Sequence, residues 1–259
     1  MRAWTLAKSL ALAAALLPLM VCAQAPAWQA EFGLGRESLS GGLAAWQQTD
    51  LTLRHSWAAR SQFELRARRT DRFDLVDREL GASLALPLAE GWDASLAASA
   101  SPTHRILPRA DVTAGLQRQL GDGWVLGGAL RATRYDVDRV NALSLGAERY
   151  FGSAAVGEWR AAATLTATRL AGLGSSGAGR VQLDRYFGER ARLGLLIAAG
   201  REIDNLGQGA LLVSDVRSVV LLGRWPLGPA VALSGEIGQT RLGSLYRRSG
   251  GRLGVQLDF

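Results

Sequence analysis

The chain of 259 residues holds one cysteine, one lysine, two methionines and two histidines. Cys22 alone cannot form an internal disulfide, and Lys8 is the only lysine. His55 and His104, isolated and with no second cysteine, leave a transition-metal site without ligands. Long apolar runs are also missing. A helical membrane protein needs spans of about 20 apolar residues, and the one comparable stretch sits at the N-terminus. The 31 glycines follow no three-residue period, which excludes a collagen helix, and the seven prolines build no linker. With 48% hydrophobic and 20% charged residues the chain is too apolar to be disordered. No helical i, i+3, i+4 pattern runs through it either.

The N-terminus reads as an export signal. Arg2 and Lys8 precede the apolar run LALAAALLPLMV over 10–21, and small residues follow through Ala25. The signal is expected at 1–23, cut after Ala23, since cutting after Ala25 would leave Pro26 first. An uncleaved anchor would need a longer run. A lipoprotein cut at Cys22 would follow Val21, a poor residue for that site. A mature chain of 259 − 23 = 236 residues would lack both Cys22 and Lys8 and carry 28 arginines against 23 acids, about +5. The arginines are scattered singly along an exported chain, so no nucleic-acid partner is expected.

Over 24–259 the apolar residues alternate. Trp92, Ala94, Leu96 and Ala98 alternate with Asp93, Ser95, Ala97 and Ser99. Trp124, Leu126, Gly128 and Leu130 repeat the pattern, as do Trp159, Ala161, Ala163 and Leu165. Period 2 over about ten residues marks strands with one apolar face. Fourteen are expected, near 28–36, 46–57, 59–69, 77–88, 90–101, 110–120, 123–134, 139–150, 157–170, 177–187, 190–201, 214–225, 229–241 and 247–259. Twelve is the alternative if an early hairpin lies outside the wall. Short turns at 89–91, 121–123, 188–190 and 226–229 alternate with longer polar connections at 69–78, 101–109, 170–177, 201–215 and 241–249. That asymmetry, with a strand ending on Phe259, predicts an all-β, transmembrane, antiparallel up-and-down barrel of the cell outer membrane. A soluble sandwich would not explain the aromatics at the short turns. Trp57, Trp92, Trp124, Trp159, Tyr186, Phe187, Trp225 and Phe259 are expected as a periplasmic aromatic girdle.

The segments Glu148-Arg149-Tyr150-Phe151-Gly152 and Asp184-Arg185-Tyr186-Phe187-Gly188 share a motif at a strand end, and Leu245-Tyr246-Arg247-Arg248 precedes the last strand. With these the chain resembles the YaiO family of outer-membrane β-barrels over about 28–259. The resemblance implies the barrel and its location, and no catalytic residues.

Parity turns one polar face inward: Arg54, Arg66, Arg68, Arg131, Arg160, Arg180, Arg192, Arg224 and Arg252 with Glu31, Asp50, Glu64, Glu79, Asp93, Glu148, Asp184, Glu236 and Asp258. Such a lumen is read either as a narrow channel for small polar or anionic solutes or as ion pairs that seal the barrel. The first reading, non-enzymatic, is preferred. An outer-membrane lipid hydrolase would use His104 with a nearby Ser, Ser99 or Ser101; Asp111 is near, but no carboxylate within the loop is placed to orient the imidazole. A structural or surface-interaction barrel is the third reading. His55 falls on the outward face beside Trp57. Asp71, Asp74 and Asp77 lack calcium-loop spacing, and no metal or cofactor is called for. Expected partners are outer-membrane lipids and the barrel-assembly machinery. Arg72, Arg78, Arg105, Arg109, Arg139, Arg241, Arg247 and Arg248 would meet lipopolysaccharide phosphates.

Overall fold

The computed structural model describes residues 27–136, 138–153, 155–170, 174–205 and 211–259. The signal expected at 1–23, with its cleavage site and Cys22, lies outside the described residues. Fourteen strands follow one another: β1 (Ala27–Leu39), β2 (Trp46–Ala58), β3 (Ser61–Arg72), β4 (Leu75–Ala89), β5 (Trp92–Ala100), β6 (Ala110–Gly121), β7 (Trp124–Arg134), β8 (Arg139–Ser153), β9 (Gly157–Leu170), β10 (Gly174–Phe187), β11 (Ala191–Asn205), β12 (Leu211–Pro226), β13 (Val231–Leu242) and β14 (Tyr246–Asp258). Each pairs antiparallel with its chain neighbours. β14 pairs with β1 from Gln29↔Asp258 to Leu39↔Arg248 and closes the barrel. Closure removes the sheet edges, so every strand has a partner on both sides. Among the described residues no helix is long and apolar enough to cross a membrane, which says nothing of strands.

The barrel is apolar outside and polar within. Phe32, Leu51, Leu65, Leu80, Leu96, Leu130, Leu165, Ile197, Leu221, Ile237 and Leu253 are exposed, while Asp50, Thr70, Asp77, Glu79, Asp184 and Gln256 are buried. Alternation along each strand produces this, because successive side chains point to opposite faces. Glycine keeps the inner face close where bulk would intrude. A Cβ on Gly194 of β11 would sit 2.3 Å from Asp184 Oδ1 on β10.

Strand boundaries agree with the sequence reading to within a few residues, but most of the expected long connections are themselves strand. The stretch 69–78 is a hairpin closed by Phe73 and Asp74, whose φ values of 55° and 60° match the left-handed conformation of two-residue hairpin turns. A phenylalanine rarely adopts that conformation. Here its ring packs edge-on against Trp46 at 5.2 Å and lies 6.4 Å from Tyr246. Without Gly or Asn the turn left no signal in sequence. Of 170–177 and 201–215, residues 170, 174–177, 201–205 and 211–215 are strand, and 171–173 and 206–210 lie outside the described residues. The connection 241–249 reduces to 243–245. Polar residues there mark wall standing in water, not loop. The one long described excursion at this end is 101–109.

Register shifts at Ser56/Ala58, Pro87/Ala89 and Gln119/Gly121 fall beside short turns at the end that carries Phe259. Pro87 stands at one of these shifts, a position where a sheet tolerates proline. A closed sheet of this length should resist SDS at room temperature. Unheated protein is expected to migrate apart from boiled protein on a gel, and one band insensitive to heating would contradict the closure.

Candidate functional site: the charged lumen

Near the termini, Asp258 accepts hydrogen bonds from Gln29 Nε2 at 2.8 Å, Gln256 Nε2 at 2.7 Å and Arg190 Nη2 at 2.7 Å. Arg54 donates to Glu64 and to Gln29, both at 2.7 Å. Arg160 grips both oxygens of Glu148 at 2.7 Å and reaches the buried Asp184 at 2.8 Å. Asp184 also accepts from Gln182. Arg190 reaches Asp258 from the turn between β10 and β11, across the end of the barrel, and the other groups come from the same, neighbouring or next-neighbouring strands.

Further along the axis, Arg252 joins Glu31 at 2.8 Å and also bonds Asp50, across the β14–β1–β2 seam. Arg68 pairs with Glu79 at 2.8 Å and Arg131 with Asp111 at 2.7 Å. Arg180 and Glu236 face the lumen with no ion pair among the described residues. Much of the remaining inner wall here is small, with Gly33, Gly35, Gly81, Ala97, Gly115, Ala129 and Gly254 on the inward alternation.

The pairs are asymmetric. Arg66, Arg131 and Arg192 have 44%, 55% and 40% of their side chains exposed, whereas their partners Glu79, Asp111 and Asp184 have 5%, 16% and 0%. A carboxylate on a short stem lies against the wall, and a guanidinium on a long one reaches past it. Arg160 with Glu148 and Arg248 with Glu37 are less one-sided, the acid being somewhat more exposed.

At the end opposite the termini the mouth narrows from two sides. Trp46, Val216, Leu242 and Tyr246 form a buried inward cluster with Leu39 and Phe73 against it. Arg72 and Arg248 lie over the Trp46 ring at 4.3 and 5.0 Å. A cavity of about 220 Å³ opens beneath, lined among others by Trp46, Gln48, Thr70, Glu236, Thr240 and Arg252. Across the mouth, segment 101–109 is clasped by Asp77. Its carboxylate accepts the backbone N–H groups of Arg105 at 3.0 Å, Ile106 at 2.7 Å and Leu107 at 2.8 Å. Ile106 and Leu107 are buried.

All the expected lumen residues sit on the inward alternation: Arg66, Arg131, Arg160, Arg180, Arg192, Arg224, Glu64, Glu79, Glu148, Asp184 and Glu236. Trp57, Trp92, Trp124, Trp159, Trp225 and Phe259 face outward at the termini end, and Trp28 and Phe151 join them unanticipated. Tyr186 does not. It shares the parity of Asp184 and faces inward opposite Arg192, so its expected place in the girdle is corrected. Arg72 and Arg248 likewise face inward over Trp46, not outward to lipid. Sequence reading missed Trp46 and Asp77 as lumen residues, although Trp46 shares the parity of Asp50, and Asp77 that of Glu79.

The hydrolase arrangement is not assembled. His104 Nε2 lies 2.8 Å from Asp136, not Asp111, and Nδ1 faces the Ser101 and Pro102 carbonyl oxygens at 3.1 Å. Ser101 is buried and its hydroxyl accepts the His104 backbone N–H, so neither ring nitrogen addresses a serine. Asp111 bonds Arg131 and Thr133. His55 stacks on Trp28 at 4.3 Å, on the outward face. Asp77 is occupied by backbone donors, which takes it out of any calcium loop with Asp71 and Asp74. Among the described residues no three His, Cys, Asp or Glu side chains cluster as metal ligands.

No family model matches the chain, and no curated protein sequence does. Solved structures with the same fold include a bacterial polysaccharide outer-membrane secretin (TM-score 0.55, 8% identity, 92% of this chain and 99% of that one covered). Omp33 of Acinetobacter baumannii matches with TM-score 0.55 and 10% identity over 90% and 99% of the two chains. An anion-selective porin from Comamonas acidovorans matches at 0.50 and 10% over 91% and 99%. The fold is thus that of outer-membrane barrels. The YaiO resemblance finds no matching family model, and the barrel it implies is the part the structure bears out.

Replacing Asp77 by Ala strands three N–H donors, and for the buried ones of Ile106 and Leu107 each is a loss of about 1–3 kcal/mol. The segment should then swing free and be cut by trypsin after Arg105 or Arg109 far faster than in wild type. An unchanged cutting rate would mean the clasp does not hold it.

Proposed function

We propose that the chain is an outer-membrane barrel, non-enzymatic, whose lumen passes small polar solutes and favours anions. The outward face supports the location. From the level of Ala30 to that of Leu34 on β1, and at matching heights around the wall, outward side chains carry no charge. Below this belt stand the tryptophans, with Arg118, Arg149 and Arg185 over Trp92, Trp124 and Trp159 at 5.1, 5.3 and 5.1 Å. That is the layering of a lipid-facing barrel wall.

The single observation that carries the solute preference is the asymmetry of the lumen pairs. Arg66, Arg131 and Arg192 reach into the lumen and their carboxylates lie at the wall, while Arg180 has no ion pair among the described residues. A solute in the lumen meets guanidinium first, so the local potential favours negative charge although formal charges nearly balance. The anion-selective porin shares the fold alone and adds no weight to this point. The sealed-scaffold reading is favoured by the Trp46 cluster and the clasped segment, which both narrow the mouth.

Planar-bilayer recording decides between them. The wild type is expected to conduct with a reversal potential on the anion side in a KCl gradient. Arg180→Glu should move it toward the cation side with heat-dependent gel mobility intact. A folded barrel that stays silent would overturn the channel, and a reversal potential indifferent to Arg180 would overturn the anion preference.

The location has its own test. Leu130→Arg, at mid-height of the belt, should cost about 2–4 kcal/mol of folding into lipid vesicles, read by urea titration. Ala129→Arg, one residue away and facing inward, should spare the lipid face. Equal effects of the two would argue against a lipid-facing wall.

A further inference from the structure

Above the charge-free belt, at the end opposite the termini, the outward face turns to arginine. Arg36, Arg69, Arg78, Arg134, Arg139, Arg169, Arg201, Arg217, Arg241 and Arg247 all stand on the outward alternation at this rim, against Asp71 and Asp215.

On three successive strands the arginines are direct cross-strand partners. Arg217 of β12 opposes Arg241 of β13, and Arg241 opposes Arg247 of β14. All three are exposed. Like charges directly opposed in a sheet repel, and none of the three is in an ion pair among the described residues. Arg241 Nε donates to the Gly243 carbonyl oxygen at 3.1 Å, which orients the side chain without neutralising it. The outward acid nearby, Asp215, faces Arg201 at 3.7 Å. The arginines at the other rim each have a tryptophan beneath them, as described above. Directly under this ladder lie the exposed Val219 with Gln239 and Ser249, the latter two joined at 3.0 Å, then the exposed Ile237 and, one tier further, Leu253.

We propose that the Arg217–Arg241–Arg247 ladder is a binding site for the phosphates of a phosphorylated glycolipid of the outer leaflet, whose acyl chains lie over Val219, Ile237 and Leu253. The inference rests on the outer-membrane reading and assigns its lipid a place on the wall. A multiply charged phosphate headgroup matches three guanidinium forks side by side and removes their mutual repulsion. A free phosphate would satisfy the forks but would gain nothing from the apolar strip below.

The test uses the folded full-length barrel in phosphatidylcholine vesicles containing lipid A, either bis-phosphorylated or dephosphorylated. Lipid A retained after mild detergent extraction is measured by mass spectrometry. Wild type should retain at least ten-fold more of the bis-phosphorylated form. The variant Arg217→Gln, Arg241→Gln, Arg247→Gln should lose that excess while keeping its heat-dependent mobility. Arg118→Gln, Arg149→Gln, Arg185→Gln, at the other rim, should retain it. Equal retention by wild type and the ladder variant would overturn the site. So would equal displacement by inorganic phosphate or phosphatidylglycerol, because the ladder would then be a general anion surface. Failure of the wild type to insert at all is seen before any lipid is counted, and would instead remove the membrane reading on which the site depends.

Discussion

Everything in this molecule depends on the hydrogen-bonded closure of β14 onto β1. A twisted sheet of fourteen strands left open would present two unpaired edges, which neither lipid nor a dry interior can satisfy. Closure also fixes which residues meet. Arg252 and Asp50 lie 202 positions apart in the chain, and they touch because the seam places β14 and β2 on either side of β1. The lumen is therefore a product of the register, as much as of the residues that line it.

Given that register, the lumen's electrostatics follow from side-chain length. Arginine and carboxylate occur in comparable number, and a count would call the interior neutral. In the pairs of Arg66, Arg131 and Arg192 the long side chain stands clear and the short one lies at the wall, so a balanced composition yields an unbalanced surface there. Buried pairs of this kind add little to stability by themselves, but they hold each guanidinium in place. Because arginine stays protonated at any pH a cell meets, the resulting field does not titrate away. The described residues hold no lysine, so the fixed positive charges of the wall are all arginine.

Period-2 alternation made the wall, the strand number and the inward set legible, since parity alone decides the face of each residue. Parity cannot say which carboxylate an arginine takes. Arg160 bridges Glu148 and Asp184 only because β8, β9 and β10 are adjacent at that height. Nor did residue type separate loop from strand beyond the belt. The stretch 69–78 is polar because it stands in water, yet it is paired along its length and turns on two left-handed residues, neither of them glycine. Tyr186 was misplaced by its aromatic character where its parity with Asp184 was the better guide. His104 and Ser101 are near in sequence, but a backbone turn with φ of 30° at His104 directs the imidazole to Asp136.

The clasp on segment 101–109 is made to main-chain N–H groups, and that changes what the segment is free to become. Any residue other than proline at 105, 106 or 107 supplies the same donor to Asp77. The path of the chain across the mouth is thus specified from the wall and not by the segment's own polar side chains. A surface stretch held in this way can exchange its exposed side chains, and with them whatever it shows to the outside, while the opening beneath it keeps its shape.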